Sequence, residues 1–255
     1  MIFLKSPQEI ETMRVANRVV SEILAELREG IRPGISTGDI DRIAAELIRK
    51  KGVRSAFKGY QIRNGIVPFP ATICVSLNNE IVHGIPSTQR VIKDGDVVSL
   101  DFGVIYRDFY GDAATTFALG KVKEETQRLI AATAAALEEG IAQATVGNRV
   151  GNVSAAIQER VEREGFSVVR EFVGHGVGRR LHEDPPVPNY GVRDRGVRLR
   201  EGMVIAIEPM VNVGKPEVQL KDDGWTAVTR DGSLSAHFEH SVAITEKGPA
   251  VLSLL

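Results

Sequence analysis

Apolar positions along this chain follow two alternating rhythms. From Pro7 to about Leu27, the residues Ile10, Met13, Ala16, Val19, Val20, Ile23 and Leu27 recur at helical spacing and predict an amphipathic helix. Its expected start is a capping box, with Ser6 at N-cap, Pro7 at N1 and Glu9 at N3. A second helix is predicted from about Thr37 to Lys51, with Ile40, Ile43, Ala44, Leu47 and Ile48 on one face and Gly52 as its stop. Helices are expected again over 123–144 and 148–164, the latter ended by Gly165. Gly38, Ile40, Ile48 and Gly52 match Gly151, Val153, Val161 and Gly165 at one constant offset.

After each helix pair the pattern shortens to apolar runs bounded by turn residues. Ile92-Lys-Asp-Gly-Asp-Val-Val-Ser-Leu-Asp101 reads almost in step with Leu199-Arg-Glu-Gly-Met-Val-Ile-Ala-Ile-Glu208. Each copy passes from a base and an acid through a glycine (Gly95, Gly202) into a run rich in Val and Ile, which predicts a buried strand ending on a carboxylate. The order in each half is helix, helix, strands. This predicts a duplicated α/β unit with pseudo-two-fold symmetry, its halves covering about 1–120 and 121–255. No low-complexity linker divides them, so 1–255 is read as a single domain.

Composition narrows the class. The 255 residues carry 32 Lys and Arg against 33 Asp and Glu, a net charge of −1, which gives no reason to expect a nucleic-acid or anionic-membrane partner. At 43% hydrophobic and 25% charged the chain is an ordinary globular one. Its single cysteine, Cys74, excludes an intramolecular disulfide framework and CxxC zinc sites. No apolar run approaches the roughly 20 residues of a membrane span, and the start lacks a signal-peptide pattern. A cytoplasmic location is expected.

The chemistry-bearing residues gather at the strand ends. Asp101 and Asp112 flank a segment whose Gly103 and Arg107-Asp108 suggest a hairpin, which would place the two acids on adjacent strands. Either alone could be a turn acid. Asp101, however, closes an apolar run, where a buried ionised carboxylate is costly without a cation. His175 and His182 share a glycine-rich frame, Gly174-His-Gly-Val-Gly-Arg-Arg-Leu-His182, followed by acids and prolines unsuited to an anion. Glu208 projects where Pro209 stops a strand, and Glu239 lies in Ala236-His-Phe-Glu-His-Ser241. His237 and His240 are assigned to the surface or to a layer outside the site. His83 ends another apolar run, where a lone histidine is more often structural. Four carboxylates and at least one imidazole converging in this way would repel one another without positive charge. Their charge matches two divalent cations, which predicts a two-metal site with ions about 3.5–4 Å apart and hydrolysis by metal-activated water.

At these residues the chain resembles the type I methionine aminopeptidases of the pita-bread metallopeptidase family. The resemblance runs over essentially the whole length, through Asn78-Asn-Glu-Ile-Val-His-Gly-Ile-Pro, Leu100-Asp-Phe-Gly, Tyr110-Gly-Asp-Ala, Gly174-His-Gly-Val-Gly-Arg, Ile207-Glu-Pro-Met and Phe238-Glu-His-Ser. It implies a curved antiparallel sheet backed by helices. It also implies removal of N-terminal methionine ahead of a small second residue, on free peptides and on nascent chains at the ribosome, by a monomer. Asp101, Asp112, His175, Glu208 and Glu239 would hold two divalent ions (Co²⁺, Mn²⁺, Fe²⁺ or Zn²⁺), with Asp112 and Glu239 bridging both. His83 and His182 would bind substrate around the scissile amide, and Glu208 would also be the general base. A methionine pocket is implied near Cys74, Trp225 and Leu181. Leu181 stands where bacterial relatives often carry an aromatic, and the stretch Tyr60–Phe69 does not register with the usual pocket segment, so Tyr60 and Phe69 are left out of the pocket set. Prolidases and aminopeptidase P share the five ligands but carry a large N-terminal domain, for which this chain has no room. Type II methionine aminopeptidases carry a helical insertion that does not fit between His182 and Glu208. A relative that only binds would be expected to have lost ligands.

Overall fold

The computed structural model describes residues 1–61 and 67–255. The first helix, α1 (Pro7–Gly30), begins with the expected capping box, in which Ser6 Oγ accepts from Glu9 N and the Glu9 carboxylate accepts from Ser6 N. It runs about one turn beyond the expected end. Helix α2 spans Thr37–Lys51, and the chain then enters β1 (Arg54–Ser55), β2 (Cys74–Leu77), β3 (Glu80–Val82), β4 (Val97–Tyr106) and β5 (Phe109–Ala118). The second half opens with α3 (Glu124–Ala142) and α4 (Val150–Arg163). It continues through β6 (Ser167–Val168), β7 (Gly174–Gly176), β8 (Glu183–Val187), β9 (Val204–Ile207), β10 (Met210–Asn212), β11 (Val218–Leu220), β12 (Ala227–Thr229), β13 (Ser235–His237), β14 (Glu239–Thr245) and β15 (Gly248–Val251).

A nine-stranded sheet carries the molecule. Its order is β1-β4-β5-β14-β9-β7-β8, with β2 also on β4 and β15 also on β14, and every pairing is antiparallel. The seam between the halves lies at β5 against β14. On one side of it, α1 and α2 bury Val20, Ile23, Ile40 and Leu47 with Leu100 and Phe102. On the other, α3 and α4 bury Leu129, Val153 and Ile157 with Ile205, Ile207 and Val242. Two layers therefore enclose two apolar clusters, one per repeat.

The repeat is visible bond by bond. Gly34 N donates to Ile92 O as Gly147 N does to Leu199 O, and Thr37 N donates to Arg90 O as Val150 N does to Val197 O. Gly95 and Gly202, matched in the two copies, both adopt left-handed backbone at φ 87 and 83, where a side chain would be strained.

The strand copies differ in one respect from expectation. Only the second stops at its acid, because Pro209 follows Glu208. The first does not end at Asp101, since β4 and β5 pair over ten consecutive positions to Tyr106↔Phe109. The turn sits at Arg107-Asp108, both at positive φ, as a tight two-residue hairpin requires.

Gly111 on β5 permits a close approach of α1 to the sheet: a Cβ there would lie 2.7 Å from Ala16 C and Asn17 N. Gly111→Ala should therefore push α1 off the sheet and cost about 1–3 kcal/mol, the usual range for overpacking. A chemical-denaturation midpoint within error of wild type would contradict this.

Candidate active site

One residue of the seam organises the acids. Ala114 on β5 is opposite Asp101 on β4 and opposite Glu239 on β14, so these three positions form a row on one face of the sheet. Asp112 lies two residues from Ala114 along β5 and shares that face. A methyl group at the centre leaves room between three carboxylates.

Glu208 and Glu239 arrive by a shared irregularity. The chain leaves β9 at Ile207 and resumes as β10 at Met210, and it leaves β13 at His237 and resumes as β14 at Glu239. The two interruptions are adjacent, since Met210 is opposite His237 and Ile207 is opposite His240. Strand alternation fails at such a step, and of the two places expected for His237, the surface and a layer outside the site, the second describes it. It is not at the surface but 2% exposed, with Nε2 3.7 Å from Glu208 Oε2. His240 lies a layer outside, where its Nδ1 meets Ser253 Oγ at 2.9 Å.

His175 sits on β7, next to β9. Its Nδ1–H donates to Gly176 O at 2.9 Å, which leaves the Nε2 lone pair facing Glu208 Oε1 at 3.4 Å and Asp112 Oδ2 at 3.9 Å. The His182 ring stacks edge-on against it at 4.2 Å, and Tyr60 Oη hydrogen-bonds His182 Nδ1. His83 adopts φ 60 and packs its ring edge-on against Phe172 and Trp225.

Burial sets the electrostatics. It raises Asp101 to about 7 and Glu208 to about 8, and it pushes Asp112 and Glu239, each also beside the other acids, well above the carboxylate range. The imidazoles move the other way, His83 and His182 to about 4 and His175 to about 3, because the buried charged form is penalised. They are neutral near pH 7 and can accept or donate as bases and ligands.

The donor set fits a divalent cation. Asp112 Oδ1 and Glu239 Oε1 are buried without a hydrogen-bond partner among the described residues. Ligand atoms of Asp112, His175 and Glu239 lie within 4.8 Å of one another. Carboxylate oxygens with one imidazole in its Nε2 lone-pair form are what first-row divalent metals take.

These groups open into a cavity of about 700 Å³ that also reaches His83, His182 and an apolar wall. The wall contains Cys74, Leu181 and Trp225, as expected, and also Phe57, Tyr60 and Phe69. Leaving Tyr60 and Phe69 out of the pocket is therefore corrected. Phe69 stacks edge-on against Trp225 at 5.2 Å, and its N–H donates to Tyr60 O while its carbonyl accepts from Gly59 N, each at 2.8 Å. Residues 62–66 of that stretch lie outside the described residues. Phe57 and Phe172 carried no signal, since single aromatics in loop segments look like ordinary core.

Comparison with known proteins gives the family. Residues 11–246 match the model of metallopeptidase family M24. The methionine aminopeptidase of Clostridium perfringens is 50% identical over 255 residues, covering all of both chains. A solved methionine aminopeptidase from Thermotoga maritima superposes with a TM-score of 0.96 at 47% identity over the whole of both chains. A prolidase from Pyrococcus furiosus shares the fold alone, with a TM-score of 0.79 at 21% identity, covering 99% of this chain and 65% of that one. The duplicated antiparallel sheet is the pita-bread fold, and the chain belongs to metallopeptidase family M24, on its methionine aminopeptidase branch.

Proposed function

We propose that this protein removes N-terminal methionine from peptides and nascent chains whose second residue is small. The observation that carries the reading is the junction of two unlike surfaces in one cavity: a buried cluster of four carboxylates and a wall of soft and aromatic side chains. A thioether suits Cys74, Leu181, Phe57, Phe69 and Trp225, while the acids sit where the first peptide bond would lie. We assign Asp101, Asp112, His175, Glu208 and Glu239 as the residues that would hold divalent metal. Bound divalent ions supply Lewis-acid activation of water and of the scissile carbonyl.

The chain's own groups do the rest. Glu208, which lines the cavity with its Oε1 3.4 Å from His175 Nε2, takes the proton of the attacking water as general base. His182, neutral and hydrogen-bonded to Tyr60 through Nδ1, presents Nε2 toward the cavity, and His83 faces it from the strained turn after β3. These imidazoles orient the scissile amide and narrow the space for the second side chain. Residues 1–255 act as one catalytic unit, a cytoplasmic monomer that meets chains as they leave the ribosome. Among the described residues no helix is long and apolar enough to cross a membrane.

Met-Ala-Ser and Met-Gly starts should be cut, while Met-Lys, Met-Phe and formyl-Met starts survive. Exclusion by clash discriminates more sharply than a missing methylene, worth only about 1–3 kcal/mol. Peptide mixtures incubated with Co²⁺, Mn²⁺ or Fe²⁺ and followed by mass spectrometry decide it. Cleavage of Ala-Pro-X with no action on Met-Ala-X would transfer the chain to the proline-specific branch.

A further inference from the structure

His237 is a buried histidine at the catalytic cluster that the reading above leaves without a task. Its position is rigid. Thr116 Oγ1 donates to His237 O at 2.6 Å, and His237 N donates back to the same hydroxyl at 2.9 Å. On its other edge it pairs with Met210, two residues past Glu208. Its Nε2 is buried without a hydrogen-bond partner among the described residues and lies 3.7 Å from Glu208 Oε2.

The two oxygens of Glu208 are thus inequivalent. Oε1 faces His175 Nε2, which cannot donate because the His175 proton is on Nδ1 and given to Gly176 O. Asn189 Nδ2 donates to the Glu208 main-chain carbonyl and so holds its backbone, not its carboxylate. Among the described residues, His237 is the imidazole facing Oε2. A terminal carboxylate rotates in a broad two-fold well, so a donor on one oxygen is what fixes which oxygen faces the water.

We propose that His237 is a positioning residue whose Nε2–H donates to Glu208 Oε2 and holds Oε1 toward His175 and the site of reaction. The present separation is loose, as such bonds often are before substrate is bound. The proposal rests on the assignment of Glu208 as ligand and base.

Donor reach tests it. A glutamine amide extends about as far as the imidazole Nε2, whereas an asparagine amide stops near the Nδ1 position. His237→Gln should keep kcat on Met-Ala-Ser within about threefold of wild type, and His237→Asn and His237→Leu should each lose about 10–100-fold in kcat with little change in KM. Co²⁺ affinity by calorimetry should follow the same order, and this readout needs no peptide hydrolysis. If wild type binds Co²⁺ but does not cut Met-Ala-Ser, the functional reading fails while the calorimetric order still judges His237. If His237→Leu does not fold, the Gln and Asn pair decides. In a Glu208→Gln background, His237→Asn should cost almost nothing further. The proposal is overturned if Asn matches wild type in both readouts, if Gln is as damaging as Asn, or if the losses add fully in the Glu208→Gln background.

Discussion

Glu208→Gln should lower kcat by about 10²–10⁴ while leaving the protein folded. Glutamine keeps the shape of a side chain that ends the buried run of β9, and it removes the group assigned to take the proton from water. Stability should not suffer, because burial already raises the Glu208 carboxyl to about 8, so near pH 7 the metal-free fold holds it largely uncharged, as the amide is. Metal content measured beside kcat separates the two assigned tasks. A full complement of metal with the rate lost isolates the base, and a loss of metal adds the ligand's share. Activity within a few-fold of wild type would require a different base.

Removing divalent metal should abolish activity, and the loss should be visible in stability as well as in rate. A carboxyl held protonated by the fold contributes stability that is present below its unfolded value near 4 and lost as pH rises through its folded value. Asp101 and Glu208 lose theirs through about 7 and about 8, with Asp112 and Glu239 higher still. The histidines oppose this at lower pH. Lowered from 6.5 to about 3 or 4, His83, His175 and His182 favour the fold increasingly as pH rises from about 4 to 6.5. Above 6.5 this gain tapers off, as the unfolded imidazoles lose their remaining protons, and the larger loss from the acids dominates. The melting temperature of metal-free protein should therefore fall between pH 6.5 and 8, by the equivalent of about 1–2 kcal/mol for Glu208 alone. Added Mn²⁺ or Co²⁺ should restore more at pH 8 than at 6.5, because ligands must give up protons to bind. A metal-free protein that gains stability over that interval, or that turns over fully in chelator, would falsify the buried-carboxylate account.

The elements, and the kinds of group at the site, were legible in the residues before any fold was known. Helical spacing and the Ser6, Pro7 and Glu9 cap located α1 and α2, and the copied segments around Gly95 and Gly202 revealed the duplication, because these are local patterns with a local physical cause. The acids and histidines at predicted strand ends pointed to divalent-metal chemistry, because carboxylates brought together need compensating positive charge, while the full ligand set came from the resemblance. Which atoms meet depends on how distant segments pack. Ala114 became the centre of the carboxylate row through the register of β5 with β4 and β14, and a register is a relation between distant segments. His237 turned inward because β13 and β14 belong to different sheets and the chain steps between them, which a single continuous strand pattern hides. Tyr60 and Phe69 joined the pocket through a hydrogen bond to His182 and a stack on Trp225, contacts across more than a hundred residues of chain that no spacing within one segment encodes.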